Sequence, residues 1–256
     1  MLKVMSFNAN GIRSAVRKGF HEFLEAEQPD VICLQELKAH EVDIPAPAMP
    51  YQGCWHCAEK KGYSGVGILS RQPPDQIVAG IGREEFDREG RVLRADYGSL
   101  SVLSVYIPSG TTGSERQGVK MKFLDAFYQH TAGLLAEGRE LIVCGDFNIA
   151  HQKIDLKNWR ANQKTSGFLP EERAWLDQYL DLGLLDTFRE LVGPEEAVYS
   201  WWSLRAGARE RNVGWRLDYQ LATPKLAATA TCARIPRDPA LSDHAPVLLE
   251  YDTGLS

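Results

Sequence analysis

Short apolar runs recur along the chain, and three of them stop abruptly at carboxamides and carboxylates. Residues 2–7 run into Asn8-Ala9-Asn10-Gly11, residues 31–34 into Gln35-Glu36, and residues 141–144 into Gly145-Asp146-Phe147-Asn148. Apolar runs this short, bounded by polar residues, predict buried strands. Residues 66–70, 92–97, 101–107, 216–221 and 246–251 predict further strands. Residues 15–28 have helical spacing, with Phe20, Phe23 and Leu24 on one face, and 114–135 predict an amphipathic helix. Pro170 opens another, with Glu171 and Glu172 in the first turn, where the helix dipole favours acids. Many strands with a few interspersed helices, and no Ser/Gly tract to divide them, predict two packed sheets flanked by helices in one domain over 1–256.

Strands ending in acids and amides gather those groups at one rim of a sheet. A late Ser242-Asp243-His244 adds an imidazole. Carboxylates, amides and one imidazole suit the holding of a hard divalent cation and the hydrolysis of a phosphate ester.

Composition narrows the setting. The 256 residues are 44% hydrophobic and 25% charged, enough for a sizeable core without disulfides. A net charge of −5 argues against a generally basic nucleic-acid coater, although a local basic groove is a matter of distribution. The five cysteines cannot all pair. Cys33 and Cys144 sit in strand-like runs as buried thiols. Cys54-Trp55-His56-Cys57 matches a redox or zinc spacing, but it has no second pair and its alternation reads as strand. Neither a signal peptide nor a membrane-length apolar stretch is read, so a reduced, cytoplasmic setting is expected.

Two polar stretches are long for turns. Residues 151–165 carry Lys153, Lys157, Arg160 and Lys164 against Asp155, and residues 202–215 carry Arg205, Arg209 and Arg211 against Glu210. Trp159, Trp201, Trp202 and Trp215 interrupt or flank them. Basic side chains with aromatics suit phosphate-backbone contact and filling of a gap in a base stack. Solvated loops are the bland alternative.

The ordered motifs carry a resemblance. Asn8-Ala9-Asn10-Gly11-Ile12-Arg13, Leu34-Gln35-Glu36-Leu37-Lys38, Gly62-Tyr63-Ser64-Gly65-Val66-Gly67, Tyr106-Ile107-Pro108, Gly145-Asp146-Phe147-Asn148-Ile149-Ala150-His151, Ser166-Gly167-Phe168, Asn212-Val213-Gly214-Trp215-Arg216-Leu217-Asp218-Tyr219 and Ser242-Asp243-His244 span nearly the whole chain. It resembles the exonuclease III family of abasic-site (AP) endonucleases, within the DNase I-like metal-dependent phosphoesterases. The resemblance implies a four-layered α/β/β/α sandwich, two packed mixed β-sheets flanked by helices, with the site at one end. It implies a Mg²⁺ enzyme, with Mn²⁺ as substitute, that acts as a monomer on duplex DNA containing an abasic site.

By the same resemblance Glu36 is the main metal ligand, and Asn8, Asn10, Asp243, Asp146, Asn148 and His244 border the metal. Asp146 orients and deprotonates the attacking water, Asn148 holds Asp146 and meets the phosphate, and Tyr106 donates a hydroxyl to that phosphate. His244, paired with Asp218, donates to a phosphoryl oxygen. Trp215, Trp201 and Leu217 form an apolar pocket for the extruded sugar, with Gly167 leaving it space. Tyr63, Asn162 and Arg205 contact the DNA. Asn10, Ser109 and Thr165 stand where some relatives carry Asp, Asn and Asn. Cleavage 5′ to the abasic site would leave a 3′-hydroxyl, with lesser 3′-phosphodiesterase, 3′-phosphatase and 3′→5′ exonuclease activity. Two other readings stay open here: a sister phosphoesterase acting on a phosphoinositide, nucleotide or phospholipid, and a non-catalytic DNA-binding module.

Overall fold

The structure is a computed structural model describing residues 1–47, 50–205 and 207–255. Its first six-stranded sheet has the spatial order β13 (Ala230–Arg234), β14 (Val247–Tyr251), β1 (Leu2–Asn8), β2 (Val31–Gln35), β4 (Val66–Ser70), β3 (Gln52–His56). The second has the order β5 (Gln76–Ala79), β6 (Val92–Tyr97), β7 (Leu100–Tyr106), β8 (Glu140–Asp146), β12 (Asp218–Ala222), β9 (Leu185–Asp186). Both sheets are mixed: β1–β2 and β7–β8 are parallel, and the other neighbouring strands pair antiparallel. A two-stranded ribbon, β10 (Trp201–Trp202) with β11 (Gly214–Trp215), lies apart. The helices are α1 (Ile12–Arg17), α2 (Phe20–Glu27), α3 (Glu84–Asp87), α4 (Ser114–Ala136), α5 (Pro170–Leu180), α6 (Thr187–Val192) and α7 (Pro224–Ala227).

The core clusters separate the layers. Val4, Cys33, Val66, Leu93, Val102, Ile142, Cys144 and Val247 pack between the sheets. Phe20, Phe23 and Leu24 of α2 cover Met5, Phe7, Ile32 and Leu34 on the far side of the first sheet. Phe123 and Phe127 of α4, with Trp175 and Tyr179 of α5, cover Leu103, Val143 and Leu221 on the far side of the second. This is the expected α/β/β/α sandwich.

Alternation along the strands decides where the polar groups emerge. Residues two apart share a face. Leu2 and Val4 face the inter-sheet core, so Asn8 does too. The same parity carries Ile142 and Cys144 on to Asp146, and Val102 on to Tyr106. Tyr106 lies opposite Asp146, and Asp146 opposite Asp218, on neighbouring strands. The site is thus the polar end of the inter-sheet core.

Three local expectations are corrected. The helix expected over 15–28 breaks at Lys18 and Gly19, the latter at φ 96°, into α1 and α2. The strand expected from residue 216 starts at Asp218, because the Arg216 amide bonds the Asp155 carbonyl instead. Arg209, read as part of a basic DNA-facing loop, turns its guanidinium to the carbonyls of Ser242 and Arg237 and stacks on Trp202 at 4.6 Å. The cysteines are all free, and Cys54 lies in β3. Burial, with Glu41 nearby, pushes the Cys54 and Cys57 thiols up, away from redox reactivity. No helix among the described residues is long and apolar enough to cross a membrane.

The stretch over 151–165 is anchored by a buried ion cluster. Arg216 donates through Nε to Asp155 (2.8 Å) and through Nη2 to Asp186 (2.7 Å), and Arg189 also reaches Asp155 (2.8 Å). Burial raises the Asp155 pKa, but Arg216 and Arg189 outweigh it and hold it at about 2, below the ordinary 3.8. A depressed carboxyl contributes stability that is present above the unfolded value and lost as pH falls through the folded one. Asp155→Asn should therefore destabilise the neutral protein by roughly 2 kcal/mol. In melting experiments the deficit should shrink as pH falls from 3.8 to about 2. A deficit that does not change over that window would mean that lost packing, not lost charge, is the cause.

Candidate active site

Strand ends and the turns after them build the site. β1 delivers Asn8, β2 hands over to Glu36, β7 ends at Tyr106, β8 at Asp146, and β12 begins at Asp218. The turns then bend sharply. Asn10, Glu36, Lys38 and Asn148 have φ of 43°, 48°, 49° and 51°, in the left-handed region that non-glycine residues seldom occupy. For Glu36 the bend lets an acid follow a fully buried strand yet reach the rim.

Hydrogen bonds link the expected residues in three neighbouring groups. The Asn8 amide donates to Glu36 Oε1 (2.9 Å) and to Asp146 Oδ2 (2.8 Å). Asp146 Oδ1 accepts the Asn148 backbone N–H at 2.8 Å, and the Asn148 amide donates to the Ile107 carbonyl (2.9 Å) and to Asp146 Oδ2 (3.3 Å). His244 Nδ1 meets Asp218 Oδ2 at 2.8 Å, and its Nε2 lies 3.9 Å from Asp146 Oδ2. Asp243 accepts from the Asn10 amide (2.9 Å) and from Trp201 Nε1 (3.1 Å).

The electrostatics follow from this crowding of acids. Burial, then Asp218 and Glu36, push the Asp146 carboxyl up from 3.8 to about 7 against the pull of His244. Burial would lower the His244 pKa, but Asp218, with Asp146 and Asp243 behind it, lifts it from 6.5 to about 10. The ring is therefore an imidazolium at neutral pH, offering a proton rather than a lone pair. Burial and the neighbouring Glu36 and Asp146 raise the Tyr106 pKa, so the phenol keeps its proton. Asp243 sits below 3.8: burial opposes ionisation, but His244, Asn10 and Trp201 outweigh it.

A divalent cation fits the two carboxylates here, with the protonated His244 ring beside them as a donor rather than a ligand. Ligand atoms of Glu36, Asp146 and His244 lie within 4.8 Å of one another. The carboxylate oxygens are the hard donors that Mg²⁺ or Mn²⁺ prefers. The raised Asp146 carboxyl reports negative charge in excess of the local positive charge. The Asn8 side-chain NH2 bridges Glu36 and Asp146, and the Asn148 NH2 bonds Ile107 and Asp146, so in each the amide oxygen is the atom that would meet a cation. Asn10 and Asp243 bond each other beside them.

Beside the acids the same cavity, of about 280 Å³, becomes apolar, lined by Trp201, Trp215, Leu217 and Gly167. The two indoles meet edge to face with centroids 6.5 Å apart. Gly167, at φ 97°, lies where an added Cβ would come within 3.2 Å of the Asn148 carbonyl oxygen and 3.3 Å of the Trp215 ring. Ser109, Thr111 and Thr165 form the polar lip.

Three expected DNA contacts lie outside this cavity. The Tyr63 hydroxyl accepts from Arg91 (2.8 Å) and Arg116. Arg91 in turn lies over the Tyr106 ring at 5.0 Å and donates to the Tyr106 carbonyl (2.9 Å), so Tyr63 reaches the site only through Arg91. Asn162 donates to the Asn158 carbonyl (2.9 Å), and Arg205 is exposed on its loop.

Sequence reasoning missed several supporting groups. Lys38 Nζ lies 2.8 Å from Glu36 Oε2 and donates to the Asn10 amide oxygen. Ser200 Oγ donates to Asp218 Oδ2 at 2.6 Å and accepts the Leu217 and Asp218 amides. Ser242 Oγ ties the Ser-Asp-His turn to the Asn8 carbonyl at 2.7 Å. Lys38 was findable, two residues beyond Glu36 on a polar rim, and Ser242 belonged to the Ser-Asp-His motif without a role of its own, whereas Ser200 is a small polar residue with no distinguishing pattern.

Two packed sheets that close on a carboxylate–imidazole cluster at one rim define a phosphoester-cleaving hydrolase. The chain belongs to the Endonuclease/Exonuclease/phosphatase family, which matches residues 5–244. It is 41% identical over 249 residues to the exodeoxyribonuclease of Bacillus subtilis, covering 97% of this chain and 98% of that one. Its fold superposes on an AP endonuclease from Archaeoglobus fulgidus with TM-score 0.90 and 30% identity, covering 99% of this chain and 100% of that one. A Neisseria 3′ phosphatase bound to a product DNA hairpin superposes with TM-score 0.91 and 30% identity, covering 99% and 100%.

Proposed function

We propose that this chain is a divalent-metal-dependent DNA-(apurinic or apyrimidinic site) endonuclease, cutting the phosphodiester 5′ to an abasic site in duplex DNA and leaving a 3′-hydroxyl. One observation carries the reading: a single cavity joins Glu36, Asp146 and His244 to an apolar wall of Trp201, Trp215 and Leu217. Phosphate chemistry and a place for a baseless sugar are side by side. A sugar without a base fits such a wall and leaves its duplex cheaply, since no base pair is broken. The similar AP endonuclease and the DNA-bound 3′ phosphatase support DNA as substrate, and the latter supports a 3′-end activity at the same centre.

A cation, Mg²⁺ or Mn²⁺, held by Glu36 and bordered by Asp146 would supply Lewis-acid stabilisation of the phosphoryl oxygens. Asp146, held by Asn8 and Asn148, takes a proton from the attacking water. The His244 imidazolium and the Tyr106 phenol donate to non-bridging oxygens as negative charge builds on them. Asp218 holds the ring through Nδ1 and keeps Nε2–H directed at the centre. Asn148 holds Asp146 in place through its backbone N–H and its amide.

The deciding experiment is a nicking assay on a duplex with one tetrahydrofuran site, with and without EDTA, beside 3′-phosphate and recessed 3′-hydroxyl ends. Incision abolished by EDTA and restored by Mg²⁺ is the expected result. Phosphate release from phosphoinositides or nucleotides, with no nick, would move the chain to a sister activity. Glu36→Gln should raise the Mg²⁺ concentration for half-maximal nicking, because an amide is a poorer partner for a hard cation. An unchanged titration would place the metal elsewhere.

Duplex binding should be salt-sensitive despite the net charge of −5. Lys153, Lys157, Arg160 and Lys164 are exposed on one loop, with Lys153 and Arg160 against the Trp159 ring at 4.6 and 4.7 Å. Log affinity should fall with log salt by roughly 0.9 per phosphate neutralised. Lys157→Ala with Lys164→Ala should flatten that slope; a slope near zero in the wild type would exclude a groove for duplex.

A further inference from the structure

Lys120 is the one cation on the buried face of α4, in line with Phe123, Leu124 and Phe127, and it is fully buried. Its Nζ donates to the Asn148 carbonyl at 2.8 Å and to Glu172 Oε1 at 2.6 Å. Glu172, equally buried, also accepts Gln117 Nε2 (3.0 Å), Ser166 Oγ (3.2 Å) and the backbone N–H groups of Gly167 (2.6 Å) and Leu169 (3.0 Å). The Gly167 carbonyl accepts from Ala150 at 2.7 Å. A closed ring of bonds results: Asn148 to Lys120, to Glu172, to Gly167, to Ala150.

Fold stability does not require this arrangement. A polar but uncharged side chain at position 172 would still cap α5 through Leu169. A buried ion pair is commonly replaceable by uncharged groups of similar volume without loss of stability. What the pair does uniquely is join two loops with different tasks. One carries Asp146 and Asn148, which handle water and phosphate. The other carries Gly167, the wall of the apolar pocket, packed against the Asn148 carbonyl and Trp215. The ammonium stands at their joint.

We propose that the Lys120–Glu172 pair is a positioning element that sets the spacing between the phosphate-handling loop and the sugar pocket, and thereby the preference for an abasic over an intact nucleotide. This rests on the proposed endonuclease function. Loss of the pair leaves Glu36, His244 and both indoles on their own elements but frees the loops that carry Asn148 and Gly167 to shift against each other. Misplacement of a reacting group by about 1 Å can cost two orders of magnitude in rate.

The test compares wild type, Lys120→Met, Glu172→Gln and the double variant. The double variant removes both charges and leaves no lone buried ion, so it is expected to be more stable than either single variant. For each, circular dichroism melting is measured beside kcat/KM for a tetrahydrofuran duplex and for the same duplex with an intact nucleotide. The folded double variant is expected to lose about tenfold or more on the abasic duplex while losing less on the intact one, so the ratio of the two falls. Partial unfolding would lower both rates together and leave the ratio unchanged. A folded double variant with the wild-type ratio overturns the inference and spares the proposed function. A wild-type protein that does not nick the abasic duplex at all overturns both.

Discussion

Asp146→Asn should bind abasic duplex nearly as well as wild type and cleave it at least ~10²-fold more slowly under single-turnover conditions. The substitution keeps the side chain's shape. The oxygen that accepts the Asn148 backbone N–H has a counterpart in a carboxamide, whereas the Oδ2 that accepts from the Asn8 side chain is replaced by a donor. What disappears is the ability to take a proton, in a group whose burial and acidic neighbours tune it to about 7. The same substitution also removes negative charge facing the incoming phosphate, so an unaltered or tighter Kd is expected alongside the slow step. Cleavage near the wild-type rate by a folded variant would require another base. His244 is a poor candidate, because Asp218 and Asp243 still favour its protonated form.

Trp215→Ala should act on selectivity rather than on bond breaking. The ring forms one side of the apolar wall, meets Trp201 edge to face and limits the space beside Gly167. Its removal leaves the hydrogen bonds from Asn8 to Glu36 and Asp146 and from His244 to Asp218 in place. The ratio of kcat/KM for abasic against intact duplex should fall by at least about tenfold, in the range that pocket-shape changes produce. Hydrolysis of a small aryl phosphodiester should change little. An unchanged ratio would assign selectivity to bending of the DNA or to loop insertion, and would take the pocket role from Trp215.

Part of the site was legible because it closes buried apolar runs. Asn8 and Asp146 end buried apolar runs on β1 and β8, so the run ends point at them, whereas Tyr106 and Asp218 entered through the family resemblance. Glu36 was legible as an acid directly after a buried run. The surroundings of Tyr63 were not legible, for the opposite reason. Its glycine-flanked motif looks like a ligand loop, but its partner Arg91 comes from just ahead of β6, and no local spacing announces that pairing. The Arg216–Asp155–Asp186 cluster is invisible for the same reason: partners far apart in sequence leave no period. Lys120 did leave a trace, as a lysine on the apolar stripe of α4, which amphipathic patterning alone treats as an irregularity.

The left-handed turns at Asn10, Glu36, Lys38 and Asn148 bear on how such an enzyme could be made hardier. Each holds a side chain in a backbone state that disfavours it by on the order of 1 kcal/mol. Glycine would relax every one of these bends, and at Glu36 and Asn148 it would delete the group the bend exists to present. Local relief and catalysis therefore exclude each other at this rim. Thermal robustness has to be gained at a distance, in the inter-sheet packing or along the outer faces of α4 and α5, where side chains can be optimised without loosening the turns.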